Sequence, residues 1–123
     1  MAAWLMQRRE AKRLQQLAAQ RPGESLCSFT RAFAWRKIDT WIIRAVYEEL
    51  QEYLQGAGGF PLRAQDHLLR DLGLDAEEVD LYVVEAIAKR TGRSLQHYER
   101  NPYFGKVEQV ADLVLFFAAQ PKA

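Results

Sequence analysis

The chain has 123 residues, enough for one domain with a sizeable buried core. Its 49% apolar and 27% charged content describes a soluble globular protein and excludes a disordered one. No apolar run approaches the ~20 residues of a membrane span, and the single cysteine, Cys27, excludes an intrachain disulfide or a cysteine metal site.

Net charge is +1, but its distribution is uneven. Residues 1–44 hold nine Lys/Arg against three Asp/Glu, giving +6, while residues 45–123 hold eight against thirteen, giving −5. The split points to an acid-seeking arm or to self-complementary association. Trp4-Leu5-Met6 precede the first basic residues, the wrong order for a signal peptide, so a cytoplasmic location is expected.

In chain order, residues 2–21 read as an alanine-rich helix with a narrow stripe of Leu14, Leu17 and Ala18. Arg8 with Lys12 and Arg9 with Arg13 are like-charge pairs four apart, which disfavour an isolated helix. This face is either solvated or docks on acid, whether from protein, nucleic acid or an anionic membrane surface. Pro22-Gly23 ends the helix. Residues 24–38 are ambiguous, since Phe29 and Phe33 fit a helical turn while Phe29, Arg31, Phe33 and Trp35 alternate as in a strand. They read as a packed connector. A division at residue 39 therefore separates a basic helix and connector (1–39) from a helical domain (40–123).

Asp39 or Thr40 caps the next helix, which runs to about Gln55. Ile42, Val46, Leu50 and Tyr53 form its apolar face, widened by Ile43, Tyr47 and Leu54, and Arg44, Glu48, Glu49 and Glu52 face water. Gly56-Ala57-Gly58-Gly59 stops it. A short helical approach from Asp66 then breaks at Gly73, a residue suited to the left-handed helix end. Asp75 stands at an N-cap with Glu78 three residues on, the spacing of a capping box. Glu77, Glu78 and Asp80 meet the positive end of this central helix, Lys89 and Arg90 its negative end, and Gly92 stops it. Val79, Val83, Ala86, Ile87 and Arg90 share one face. Ser94 caps a short helical turn through Arg100, which Asn101-Pro102 breaks. The last helix spans about Val107 to Ala119, with Val107, Val110, Leu113, Val114 and Phe117 as its stripe. No strand pattern emerges, so the class is all-α.

Residues 40–119 resemble the acyl carrier protein fold. Two phrases carry the resemblance: Asp71-Leu72-Gly73-Leu74-Asp75 before the central helix, and Val110-Ala111-Asp112-Leu113-Val114 in the last. The implied architecture is a four- to five-helix bundle, here extended by the N-terminal helix. In that family a serine directly after the Asp carries the phosphopantetheine arm. Ala76 occupies that position here, followed by Glu77, and no Ser or Thr lies between Asp66 and Arg90. Ser94 comes near the end of the central helix, where an attached arm would point elsewhere. The resemblance thus implies the fold without the tether, and no cofactor is expected. It also implies an acidic docking face, formed here by Asp75, Glu77, Glu78, Asp80 and Glu85. The same acids suit a solvated helix start equally well.

No catalytic centre is legible. His67 and His97 have no metal-ligand partner at helical spacing. Nothing in the spacing selects a Ser94-His97-Asp arrangement, and the glycine run at 56–59 lacks the lysine and the preceding strand of a phosphate loop. The expected function is a non-catalytic protein-interaction module with an unidentified protein partner. Two alternatives are a carrier modified at another site, and a module binding nucleic acid or an anionic membrane through Arg8, Arg9, Lys12 and Arg13. The charge split further suggests that the basic helix lies against an acidic surface, either of its own chain or of a second copy in a symmetric homodimer.

Overall fold

A computed structural model describes residues 2–34, 36–54 and 59–123, with side chains from residue 9 onward. The described residues form five helices and no strand. They are α1 (Ala2–Ala19), α2 (Leu26–Arg31), α3 (Thr40–Gln51), the central helix α4, and α5 (Val110–Ala119). α4 is continuous but changes pitch: an α-helical turn at Ala76–Glu78, a π-helical segment at Val79–Val83, then α-helix over Val84–Thr91.

Capping explains most of the boundaries. The Asp39 carboxylate accepts from the Trp41 N–H and starts α3. Asp75 accepts from the N–H groups of Glu77 and Glu78 at 2.7 and 3.4 Å and starts α4. Gly92, at φ 71°, ends α4 in the left-handed region. The last helix begins three residues later than the apolar stripe predicts. Asp112 Oδ2 accepts from the N–H groups of Glu108 and Gln109, which fixes Gln109 as the N-cap. The ambiguous connector contains α2, capped by Ser25, whose reciprocal partner is Ser28. Trp35 and residues 55–58 lie outside the described residues.

One core joins all five helices. α3 contributes Ile42, Ile43, Val46 and Leu50, all fully buried, and it packs against α2, the second half of α4 and α5. Ile87 of α4 and Leu113, Val114 and Phe117 of α5 fill the opposite side. Residues before 40 belong to the same core through Leu14, Phe29 and Phe33. Phe29 contacts Phe33 and Tyr47 at ring-centroid distances of 5.1 and 5.0 Å. Each such side chain contributes roughly 1.5–3 kcal/mol by burial.

Two polar staples hold the loops. Arg21, just past α1, donates to both oxygens of Asp66 at 2.7 and 2.6 Å, and both side chains are only 5% exposed. The segment around Asp66 then receives the first turn of α5: the N–H of Val110 donates to Asp66 O and that of Ala111 to Ala64 O, both at 2.9 Å. The approach from Asp66 to Leu72 is a series of turns, not a helix. The His67 imidazole organises it, since Nδ1 accepts from the N–H groups of Leu69 and Arg70.

Candidate functional site

A cleft of about 680 Å³ opens between the start of α4 and the loop that precedes α5. Its size falls in the range of small-ligand sites. Leu68, Val79, Leu113 and Phe116 form a buried apolar floor. Val84, Leu95, Tyr103 and Val107 form half-buried walls, and Leu69, Ala76, Asp80, Leu81, Tyr98 and Phe104 form an exposed rim. Asp80 is the one charged side chain among the lining residues.

Each wall has a local origin. The π-helical segment supplies Val79, Asp80 and Leu81. Such segments arise where one helical turn holds an extra residue, and they often mark functional sites. Leu81 and its neighbour Tyr82 are 59% and 62% exposed, high values for large apolar groups. The facing loop leaves α4 through Ser94 and turns at His97, whose φ of 57° is left-handed. The segment read as a short helix after Ser94 is reduced to a 3₁₀ turn, Tyr98–Arg100. The Ser94 hydroxyl accepts from the Gln96 N–H.

Asn101 fastens this loop to α5. It is 7% exposed, its Nδ2 donates to Phe116 O and Gln120 Oε1 at 2.8 Å, and its Oδ1 accepts from the Tyr103 N–H. Tyr98 and Phe104 are thereby held edge to face across the rim, 5.5 Å between centroids. Sequence reading identified Asn101 only as a helix breaker and did not find the cleft. A run of Tyr98, Tyr103 and Phe104 beside a helix breaker was the available signal.

The residues singled out from the sequence are distributed as follows. Asp75, Glu77, Glu78, Asp80 and Glu85 are all exposed along α4, and Asp80 reaches the cleft. Ala76 is exposed at the first turn of α4 and stands on the cleft rim. Arg9 and Lys12 are exposed on α1, whereas Arg13 pairs with Glu10 at 2.9 Å. The Arg8 side chain lies outside the described residues. Glu48 and Glu49, expected to face water, are half-buried and pair with Arg90 of α4. The Arg90 hydrogen bond holds the Glu48 carboxyl below its ordinary range against the opposing effect of burial. Arg90 also stacks over Trp41, 5.7 Å from the ring centroid.

Two neighbouring charges are shifted by their hydrogen bonds. Asp71 accepts from the His67 N–H at 2.9 Å, and this bond lowers its carboxyl below the usual range. Glu24 is lowered by its paired hydrogen bonds with Arg63. Among the described residues, no three His, Cys, Asp or Glu side chains gather as metal ligands, and no helix is long and apolar enough to cross a membrane. Compared with known family models, curated proteins and solved structures, the chain matches none.

Proposed function

We propose that this chain is a non-catalytic protein-interaction module, similar in architecture to an acyl carrier protein but without the serine that carries a prosthetic group. The observation that carries the reading is the outward face of α4. Leu81 and Tyr82 project there, about 60% exposed, between the exposed carboxylates of Asp80 and Glu85. Large apolar side chains ringed by like charge favour a partner with complementary basic groups around an apolar contact. The apolar centre supplies affinity and the charges supply orientation and encounter rate. Ala76 at the first turn of the same helix offers no hydroxyl for a tether.

Two measurements test this. After incubation with a phosphopantetheinyl transferase and coenzyme A, the intact mass should stay that of the unmodified chain; an adduct of phosphopantetheine size would make the protein a carrier. In capture experiments from the native cell, a partner retained by the wild type should be lost by both Leu81→Asp and the Asp80→Lys/Glu85→Lys pair. Equal retention by all three would place the interface elsewhere.

A further inference from the structure

The cleft beside Ala76 shares Asp80 and Leu81 with the outward face of α4 but has a chemistry of its own. Its floor is apolar and buried, its rim carries two half-exposed aromatic rings, and a single carboxylate, Asp80, is the charged group lining it. We propose that this cleft is a noncovalent binding site for a small amphipathic cation, an alkyl or aryl body bearing an ammonium head.

The body follows from the floor. Leu68, Val79, Leu113 and Phe116 offer no hydrogen-bonding side-chain group, so only an apolar moiety is placed there without a desolvation cost. The head follows from the rim. Tyr98 and Phe104 line the cleft mouth as an edge-to-face aromatic pair, each about half exposed, and Asp80 supplies a full negative charge. An ammonium is attracted by both, and aromatic rings are the usual recognition element for quaternary ammonium groups.

An anionic head finds no equivalent. No Lys, Arg or His side chain lines the cleft. The backbone N–H groups of Glu77 and Glu78, which would otherwise face an anion at the start of α4, are already bonded to Asp75. Residues 45–123, which include the whole cleft lining, carry −5, so the surrounding acids attract cations in general. The cleft's own share of the preference is the part that Asp80→Asn removes.

The test uses the full chain and two probes of equal chain length, dodecyltrimethylammonium and laurate, both below their micelle concentrations. Binding is followed by amide chemical shifts, which also report whether the fold persists. The cation should bind saturably, with the largest shifts at cleft-lining residues, and about tenfold more tightly than laurate if the rim contributes as aromatic–cation and carboxylate contacts ordinarily do. Two surface variants refine the result. Ala76→Lys places a positive charge at the cleft edge and should weaken binding of the cation at least tenfold while sparing laurate. Asp80→Asn should leave the cleft open but erase most of the preference for the cation. Laurate binding as tightly as the cation, or cation binding unchanged in Ala76→Lys, or the absence of saturable binding, would overturn the proposal.

Discussion

At the residue scale, Arg21 and Asp66 form the most buried charged pair among the described residues. Arg21 also donates to Pro61 O at 2.7 Å, and Asp66 accepts from the Arg63 N–H. The two bonds between the side chains are buried and the other two partly so, and an unpaired charge there is costly. Replacing Asp66 with Asn should reduce stability by about 3–5 kcal/mol in urea unfolding, because the guanidinium stays buried without its counter-charge. The double replacement Arg21→Met/Asp66→Leu should recover most of that loss. A single substitution costing under about 1 kcal/mol would show that water reaches the pair. The partners are 45 residues apart in the chain, so no local pattern in the sequence could reveal them. Asn101 was hidden in the same way, since its bonds reach residues 15 and 19 positions on. Asn101→Leu should cost about 1–3 kcal/mol by removing the Asn101 donor from the Phe116 carbonyl and from Gln120 Oε1. It should also perturb the Tyr98 and Phe104 ring resonances, a readout specific to the cleft wall.

At the element scale, apolar periodicity located the helices and their buried faces well. Val79, Val83 and Ile87 of α4 and Val110, Leu113, Val114 and Phe117 of α5 are buried as their spacing implies. Replacing Ile87 or Leu113 with Ala should cost roughly 2–5 kcal/mol in chemical denaturation, because transfer and cavity terms add; a loss below ~0.5 kcal/mol would mean that these side chains are not buried in solution. What periodicity missed is the π-helical segment. The buried residues at 79, 83 and 87 keep a four-residue spacing, which an ordinary α-helix satisfies equally well, so the pattern carries no mark of the change in pitch. The exposed Leu81 and Tyr82 were hidden for a related reason: apolar residues off the main stripe read as ordinary surface. Helix ends were legible where a side chain caps them, as at Asp39 and Asp75, or where glycine permits the left-handed turn, as at Gly92. The start of α5 was misplaced because Asp112 caps it from inside the helix.

At the scale of the whole molecule, acid sensitivity follows from carboxylates held in their charged form, one by an ion pair between helices and one by a backbone N–H. Glu48 of α3 is held low by Arg90 of α4, and Asp71 by the His67 N–H. A carboxyl whose folded pKa is depressed stabilises the fold above its unfolded value, and that stability is lost as pH falls through the folded value. Stability should therefore decline between about pH 5 and pH 2, below the ordinary carboxylate range. Glu48→Gln should flatten part of that decline in urea titrations at several pH values. An unchanged slope would mean that the Arg90 contact with Glu48 is not maintained in solution.

The charge split concerns the whole chain as well, and the structure places α1 against its own domain. Leu14 is 3% exposed within the common core, and Glu10 and Arg13 lie over Gly73, so close that a side chain at that position would meet the Glu10 carboxylate. Arg13 also contributes to lowering Asp71. Among the described residues this contact is with the turn before α4. Glu10 neutralises one of the cations that would otherwise repel each other along the helix, and the apolar stripe that a second copy would need is already partly buried. The full chain should accordingly sediment as a monomer at micromolar concentration, in low and high salt alike. Removing residues 1–21 should destabilise the rest by several kcal/mol, since it deletes Leu14 from the core and leaves Asp66 without Arg21. The truncated chain should also self-associate, because the uncovered apolar surface is then open to a second copy. A salt-sensitive dimer of the full chain, dissociated by the same truncation, would instead assign α1 to an interface between two molecules.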